Sequence, residues 1–177
     1  MSTAMWTVIE SPIGPLRLVE QGGAITAIEF SPFRDGVRPL GAEGADHPVL
    51  VAAAHQLAEY FAGDRTEFDL PLAPAGSAWQ RSVWAQLLGI GYGETASYGE
   101  IAARLGKTNA ASRAVGTANG ANPIPIVIPC HRVIGANGTL TGYAGGLERK
   151  QLLLDLERDE DRSEEHTSEL QSRFGIS

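Results

Sequence analysis

Cys130 is the one cysteine of this 177-residue chain, and it stands in the run Ile128-Pro129-Cys130-His131-Arg132-Val133-Ile134-Gly135. Three readings suit a thiol there. It is a small core residue, since unpaired cysteines are among the most buried types. It is half of a metal site, although one Cys beside one His makes a poor ligand set. Or it is a nucleophile, its thiolate favoured by an adjacent base or cation. The dipeptide alone favours the inert core thiol. Neighbours in an extended segment face opposite sides, so a base role for His131 needs a water or a twist of the backbone. Glu157 is one of few carboxylates placed to polarise that imidazole. A cysteine hydrolase would need a separate histidine base. His47, in a loop, and His55, on a helix, read as surface or packing residues.

Composition narrows the setting. With 43% hydrophobic and 20% charged residues the chain is an ordinary globular one. Its apolar runs are too short to span a bilayer, and MSTAMWTVIESP lacks the basic and apolar regions of a secretory signal. No internal disulfide is open to a lone cysteine, so a cytoplasmic setting is expected, and a zinc cluster built on cysteines is excluded. The net charge of −7 argues against a generic nucleic-acid binder. The charge is uneven, however. Residues 1–76 hold four basic and ten acidic side chains, while residues 77–161 hold eight of each. Between Ile101 and Gly146 stand Arg104, Lys107, Arg113 and Arg132 with no acid, the makings of a local positive surface.

The elements that must position these groups fall into two domains, 1–74 and 77–161. Residues 6–30 alternate as strands, with hairpin turns at Ser11-Pro12-Ile13-Gly14 and Gly22-Gly23. Residues 31–47 read as a loop. PVLVAAAHQLAEYFAG predicts a helix with Val51, Ala54, His55, Ala58 and Phe61 on one side, stopped at Gly63. TEFDLPL predicts a short strand and APAG a linker. In the second domain, Ser77 with Gln80 and Ser97 with Glu100 are capping boxes. Trp79, Val83, Trp84, Leu87 and Leu88 form an apolar stripe, its tryptophans read as core. YGEIAARLG and AASRAVGTANG are two short helices joined by a tight turn. They read as a helix-turn-helix whose small side chains let the backbone approach a groove, or as a plain helix pair. Prolines 123, 125 and 129 forbid helix and predict an extended path. HRVIG and GTLTGY read as extended pieces, and GLERKQLLLDLERD as a helix with Leu147, Leu152 (or Gln151), Leu154 and Leu156 partly inward. The tail 162–177 opens with the polar RSEEHTSELQS, which resembles an in-frame translation of a sequencing adapter. It is expected to be non-native and takes no part in fold reasoning.

The run from Asn122-Pro123 to Pro129-Cys130-His131-Arg132-Val133 resembles the active-site segment of the O6-alkylguanine-DNA alkyltransferases. The likeness extends to Gly91-Tyr92-Gly93-Glu94-Thr95-Ala96-Ser97-Tyr98-Gly99, to Ser112-Arg113-Ala114-Val115-Gly116, and to Gly142-Tyr143-Ala144-Gly145-Gly146 with Lys150, Leu152, Leu153 and Glu157. It covers about residues 6–160. It implies an α/β fold: a small ribonuclease H-like α/β domain, then a mostly helical domain with a winged-helix-like helix-turn-helix. It implies direct repair of duplex DNA, in which an alkyl group on O6 of guanine, with O4 of thymine as a further candidate, passes irreversibly to Cys130.

By the same resemblance His131 is the base, acting through a water, Glu157 orients it and Asn122 holds the turn. Arg113 fills the space of the flipped base, and Tyr98 rotates the phosphate and bonds the base. Ala114, Gly116 and Lys107 join the DNA face. Tyr143, Ala144, Gly145, Pro125 and Trp79 line the pocket. No cofactor, metal or membrane is implied, and a monomer is expected. Two features depart from the family. GKTNAAS gives one residue more between Tyr98 and Arg113 than the commoner spacing, and the cysteine-bound zinc of some relatives is impossible here. A lesion-binding protein without transfer is the rival reading, and Cys130, Glu157 and Asn122 together speak against it.

Overall fold

A computed structural model describes residues 3–34, 41–138, 140 and 142–161, with side chains as far as Arg158. The expected tail 162–177, and Thr139 and Thr141 of the expected extended piece, lie outside the described residues. Strands β1 (Met5–Ile9), β2 (Leu16–Gln21) and β3 (Ala24–Phe30) make an antiparallel meander, and β4 (Ala42–Glu43) joins β1 in parallel, giving the order β3-β2-β1-β4. The β2–β3 turn is Gly22-Gly23, with φ of 63° and 83°. A two-residue hairpin matching strand twist needs positive φ at both places, which is why glycines stand there.

Helix α1 (Pro48–Phe61) packs on this sheet, and His47 caps it by accepting the Val49 N–H at 3.2 Å. Its inward face is Leu50, Ala53, Gln56, Leu57 and Tyr60. The expected stripe is thus the wrong one: Val51 is 49% exposed and His55 faces solvent beside Glu59. The helix is apolar nearly all round, so spacing suits either side. The larger Leu57 and Tyr60 fill the space over the sheet. The strand expected from TEFDLPL does not form either. Only Ile25 and Leu72 bridge, with the Ile25 N–H on Pro71 O and the Ala73 N–H on Ile25 O, both at 2.8 Å. Pro71 has no N–H to extend the ladder.

The second half holds α2 (Ala78–Leu87), β5 (Ala96–Ser97), α3 (Tyr98–Arg104), a 3-10 turn Asn109–Ala111, α4 (Ser112–Gly120), a second 3-10 turn Cys130–Arg132, β6 (Val133–Ile134) and α5 (Leu147–Asp161). Both capping boxes form reciprocally, Ser77 with Gln80 and Ser97 with Glu100. Helices α3 and α4 pack as the helix-turn-helix, with α2 behind them. Trp84 is buried, its indole N–H on Ala118 O at 2.8 Å. The parallel β5–β6 ladder ties the start of α3 to the segment after Cys130. On α5 the expected inward leucines are only partly right. Leu147 and Leu152 are 49% and 46% exposed, and the buried face is Lys150, Leu153, Leu154 and Glu157. A lysine and a glutamate lie at core spacing because each has a buried partner.

One continuous apolar core joins the halves, running from Leu18, Leu57 and Tyr60 to Trp84, Ile101, Val115 and Leu153. Strand β3 reaches across as well, its Ile28 N–H donating to Pro123 O at 2.9 Å. The face of α1 is testable by unfolding in denaturant. Leu57→Ala is expected to lose about 2–5 kcal/mol by opening a cavity, and Val51→Ala to stay within about 0.5 kcal/mol.

Candidate functional site

Three prolines keep the segment before Cys130 out of helix, yet it is not extended as expected. It coils through two successive tight turns. The Val127 N–H bonds Pro125 O at 2.9 Å around Ile126, whose φ is +75°. That is a classic γ-turn geometry, strained for a β-branched residue. The Cys130 N–H then bonds Ile128 O at 2.7 Å around Pro129, at φ −80° and ψ 65°, an inverse γ-turn. Asn122 brackets the first turn from within: its amide N–H donates to Ile128 O at 2.8 Å and its Oδ1 accepts the Ile124 N–H at 3.0 Å. Asn119 on α4 donates to Cys130 O at 3.3 Å. Cys130, His131 and Arg132 follow as one 3-10 turn rather than an extended strand, all three buried.

Glu157, 1% exposed, gathers the site. Its Oε2 accepts from His131 Nε2 at 2.7 Å, from Arg132 Nη2 at 3.0 Å and from the Tyr60 hydroxyl at 2.5 Å. Its Oε1 accepts from Arg132 Nε at 2.8 Å and from the Gly93 N–H at 3.5 Å. Arg132 Nη1 is satisfied by Ile90 O at 2.6 Å. Sequence reading placed Arg132 in the positive surface, and the structure overturns this: Arg132 is a buried bidentate partner of the carboxylate. Exposed Arg104, Lys107 and Arg113 remain for that surface.

Burial pushes Glu157 up, but the hydrogen bonds and charges of His131 and Arg132 overcome it and hold the acid at about 2. Burial, opposed by Glu157, lowers His131 below its ordinary value, so the imidazole is neutral near pH 7. An ionised carboxylate only accepts. His131 Nε2 must therefore carry the proton facing Glu157, which leaves Nδ1 as a basic lone pair. Nδ1 is buried and has no partner among the described residues. The Cys130 thiol is pushed up to about 11 by burial, offset in part by the Asn122 amide and the Lys150 charge. Lys150 is itself wholly buried and donates to Val133 O at 2.6 Å. At rest Cys130 is thus a thiol and His131 a neutral imidazole.

A cavity of about 520 Å³ opens beside this turn, and Asn122, Pro125 and Ala144 line it together with Phe30 and Arg34. Tyr143 and Gly145, on either side of Ala144 in the chain, do not line it but pack against Phe30. The Tyr143 ring meets Phe30 at 5.8 Å, and a Cβ on Gly145 would come within 2.9 Å of both rings. Burial first, then the neighbouring Cys130, raises the Tyr143 hydroxyl well above its ordinary value, and the hydroxyl has no geometric hydrogen-bond partner among the described residues. Trp79 is brought elsewhere, half-buried against α4 with its indole N–H on Ala114 O at 3.4 Å. Arg113, Ala114 and Lys107 are exposed on the helix-turn-helix. The Tyr98 ring lies over Gly116, where an added Cβ would sit 3.6 Å from it. His47 and His55 serve α1 and its flank. Sequence reading missed Tyr60, Asn119 and the pairing of Arg132. One signal was present: Lys150 and Glu157 break an apolar stripe at helical spacing.

Comparison with known proteins bears on all of this. Residues 78–159 match the family described as 6-O-methylguanine DNA methyltransferase, DNA binding domain, and residues 4–74 match its ribonuclease-like domain. A methylated-DNA–protein-cysteine methyltransferase of Mycobacterium tuberculosis is 49% identical over 158 residues, covering 86% of this chain and 92% of its own. The crystal structure of the Mycobacterium tuberculosis O6-methylguanine methyltransferase aligns with a TM-score of 0.81 at 46% identity, over 89% of this chain and 94% of that one. A structure of the Mycobacterium tuberculosis protein in complex with DNA aligns at 0.80 and 47% identity, over 88% and 94%.

The carboxylate makes a pH prediction. Glu157 is held below the ordinary glutamate value of about 4.3. Its stabilisation is therefore complete above about pH 4.3 and is lost as pH falls towards about 2. Glu157→Gln leaves Arg132 buried and unpaired. It is expected to cost about 3–5 kcal/mol at pH 7, with the difference from the unaltered chain narrowing across that acid window in denaturant unfolding.

Proposed function

Because the chain belongs to the 6-O-methylguanine DNA methyltransferase family, we propose that it repairs duplex DNA by moving an alkyl group from O6 of guanine onto the sulfur of Cys130. O4-alkylthymine is a further candidate substrate. The observation that carries this reading is the buried chain from Glu157 through His131, with its basic Nδ1, beside a lone thiol. His131 takes the Cys130 proton through a bridging water. The thiolate attacks the alkyl carbon, an S–C bond forms as the O–C bond breaks, and the electron pair returns to the guanine. A donor at the departing base stabilises that charge as it develops, the role assigned to Tyr98.

A base inside a stacked duplex is out of reach, so it must be flipped out, at a cost of a few kcal/mol. Arg113, exposed at the start of α4 and without a partner among the described residues, is suited to occupy the gap. Small Ala114 and Gly116 let the helix backbone close on the duplex, with Lys107 beside a phosphate. Asn122 holds the acceptor turn, and Pro125 and Ala144 wall the pocket, with Tyr143 and Gly145 beside Ala144. The product is a thioether, which water does not cleave, so each molecule acts once. No helix among the described residues is long and apolar enough to cross a membrane. A cytoplasmic monomer is the working form proposed here.

Intact mass after mixing with a duplex bearing one O6-methylguanine tests the reading. The expected result is a gain of one CH2 unit on the peptide holding Cys130, saturating at one equivalent. DNA retained with no gain would point instead to lesion binding alone. Cys130→Ala is expected to abolish transfer and keep duplex binding. Arg113→Ala is expected to slow repair of duplex far more than reaction with free O6-benzylguanine, because only the duplex requires flipping. Equal losses would remove the wedge role.

A further inference from the structure

Tyr60 belongs to α1, in the N-terminal layer, 97 residues from Glu157 along the chain. It is wholly buried, and its ring is fixed by Phe61, Phe68 and Tyr92 at centroid distances of 5.2, 5.4 and 6.2 Å. Its hydroxyl lands on the same Glu157 oxygen that receives His131. We propose that Tyr60 is a positioning residue for the acceptor chemistry: by sharing Glu157 Oε2 with His131, its hydroxyl weakens the carboxylate's hold on an imidazolium and keeps His131 a neutral base. This rests on the alkyl-transfer reading above.

The chemistry follows from the sharing. Burial and the Glu157 charge raise the phenol far above its ordinary range, so Tyr60 is a donor at every working pH. A hydrogen bond to an anion draws charge from the oxygen that accepts it. With three donors on Oε2, less of that charge is left to stabilise a proton on His131. Arg132 neutralises the carboxylate as a whole, but its closest contact is to Oε1. Tyr60 acts on the oxygen that matters to the base.

Other groups surround this carboxylate, the buried Tyr143 hydroxyl among them. The Gly93 N–H meets Oε1 from the loop before β5, and Glu94 folds back onto the Gly91 N–H. Tyr92 lies 5.8 Å from the Arg132 guanidinium. Arg158 pairs with Asp155 at the surface, and Lys150 is a further charge near His131, while Cys130 is a neutral thiol. Too strong a hold from Glu157 would leave His131 protonated and unable to accept from the thiol. Too weak a hold would fail to support the imidazolium when it forms.

Tyr60→Phe removes the hydroxyl and keeps the ring contacts. Two readouts test it: the titration of the His131 ring nitrogens by NMR in the substrate-free protein, and the single-turnover rate on O6-methylguanine duplex from pH 5 to 9. The expected result is a His131 midpoint at higher pH. The acid limb of the rate should move with it, slowing transfer on that limb roughly three- to tenfold, the net worth of one ordinary hydrogen bond. The alkaline plateau should rise, since a stronger base holds more thiolate. An unmoved midpoint and limb would overturn the proposal, and a lowered plateau with an unmoved limb would mean a merely structural tyrosine. If the unaltered chain transfers no alkyl group, the functional reading falls, and the substrate-free titration still reports separately on the hydrogen bond. Should the variant fail to fold, the unaltered chain decides: a slowly exchanging, low-field Tyr60 hydroxyl proton with a cross-peak to the His131 ring supports the proposal, and its absence overturns it.

Discussion

A carboxylate taken out of water must be repaid in hydrogen bonds, and Glu157 collects them from four residues at once. Arg132 grips it in bidentate fashion, His131 and the Gly93 amide reach it from two loops, and Tyr60 reaches it from α1. The desolvation of such a pair runs to several kcal/mol per ion, and a partly satisfied site would be worse than an apolar one. The geometry around Glu157 is accordingly complete. Its consequence is that domain packing and acceptor chemistry rest on one group. The helix α5, the turn that carries Cys130, the loop before β5 and the N-terminal layer meet on the same two oxygens.

The cysteine segment depends on that anchor and on a second one. A β-branched residue at φ +75° is held only where its surroundings over-determine it. Here Asn122 grips both ends of the turn, and β3 lends an N–H to Pro123. These bonds convert a proline-punctuated stretch into a tight coil that delivers Cys130, His131 and Arg132 as one 3-10 turn. Within that coil burial raises the thiol and lowers the imidazole, while the ionised Glu157 decides which nitrogen carries the proton. A protonated thiol beside a neutral base resists stray oxidation and alkylation, which suits a residue that the proposed chemistry uses once.

The surface follows a different logic. The chain is acidic overall, yet no acid stands between Ile101 and Gly146, and Arg104, Lys107 and Arg113 are exposed in that stretch. Positive groups on one face let an acidic protein meet a phosphate backbone there and repel it elsewhere. The small residues of α4 and the capping box at Ser97, which fixes where α3 begins, set the backbone of that face.

The sequence by itself settled what is local. Capping boxes, the glycine hairpin and the proline-bounded Cys-His-Arg motif were legible because each is decided within a few residues. Glu157 was also found as the partner of His131, through the family likeness rather than through spacing. What lay out of reach were choices that depend on distant partners. An apolar helix such as α1 does not reveal which side will face a sheet, so Val51 was preferred to Leu57. Leu147 and Leu152 of α5 looked inward, yet they are exposed and Lys150 and Glu157 take core positions beside Leu153 and Leu154. Arg132 looked like surface charge because an arginine declares itself buried only through the carboxylate it meets. Tyr60 could not be joined to Glu157 by any pattern, since a hydrogen bond across 97 residues exists only when the two halves share a core. Periodicity and motifs report on the neighbours a residue has along the chain. Burial, protonation and the pairing of charges report on those it has in space, and only the packed tertiary structure supplies them.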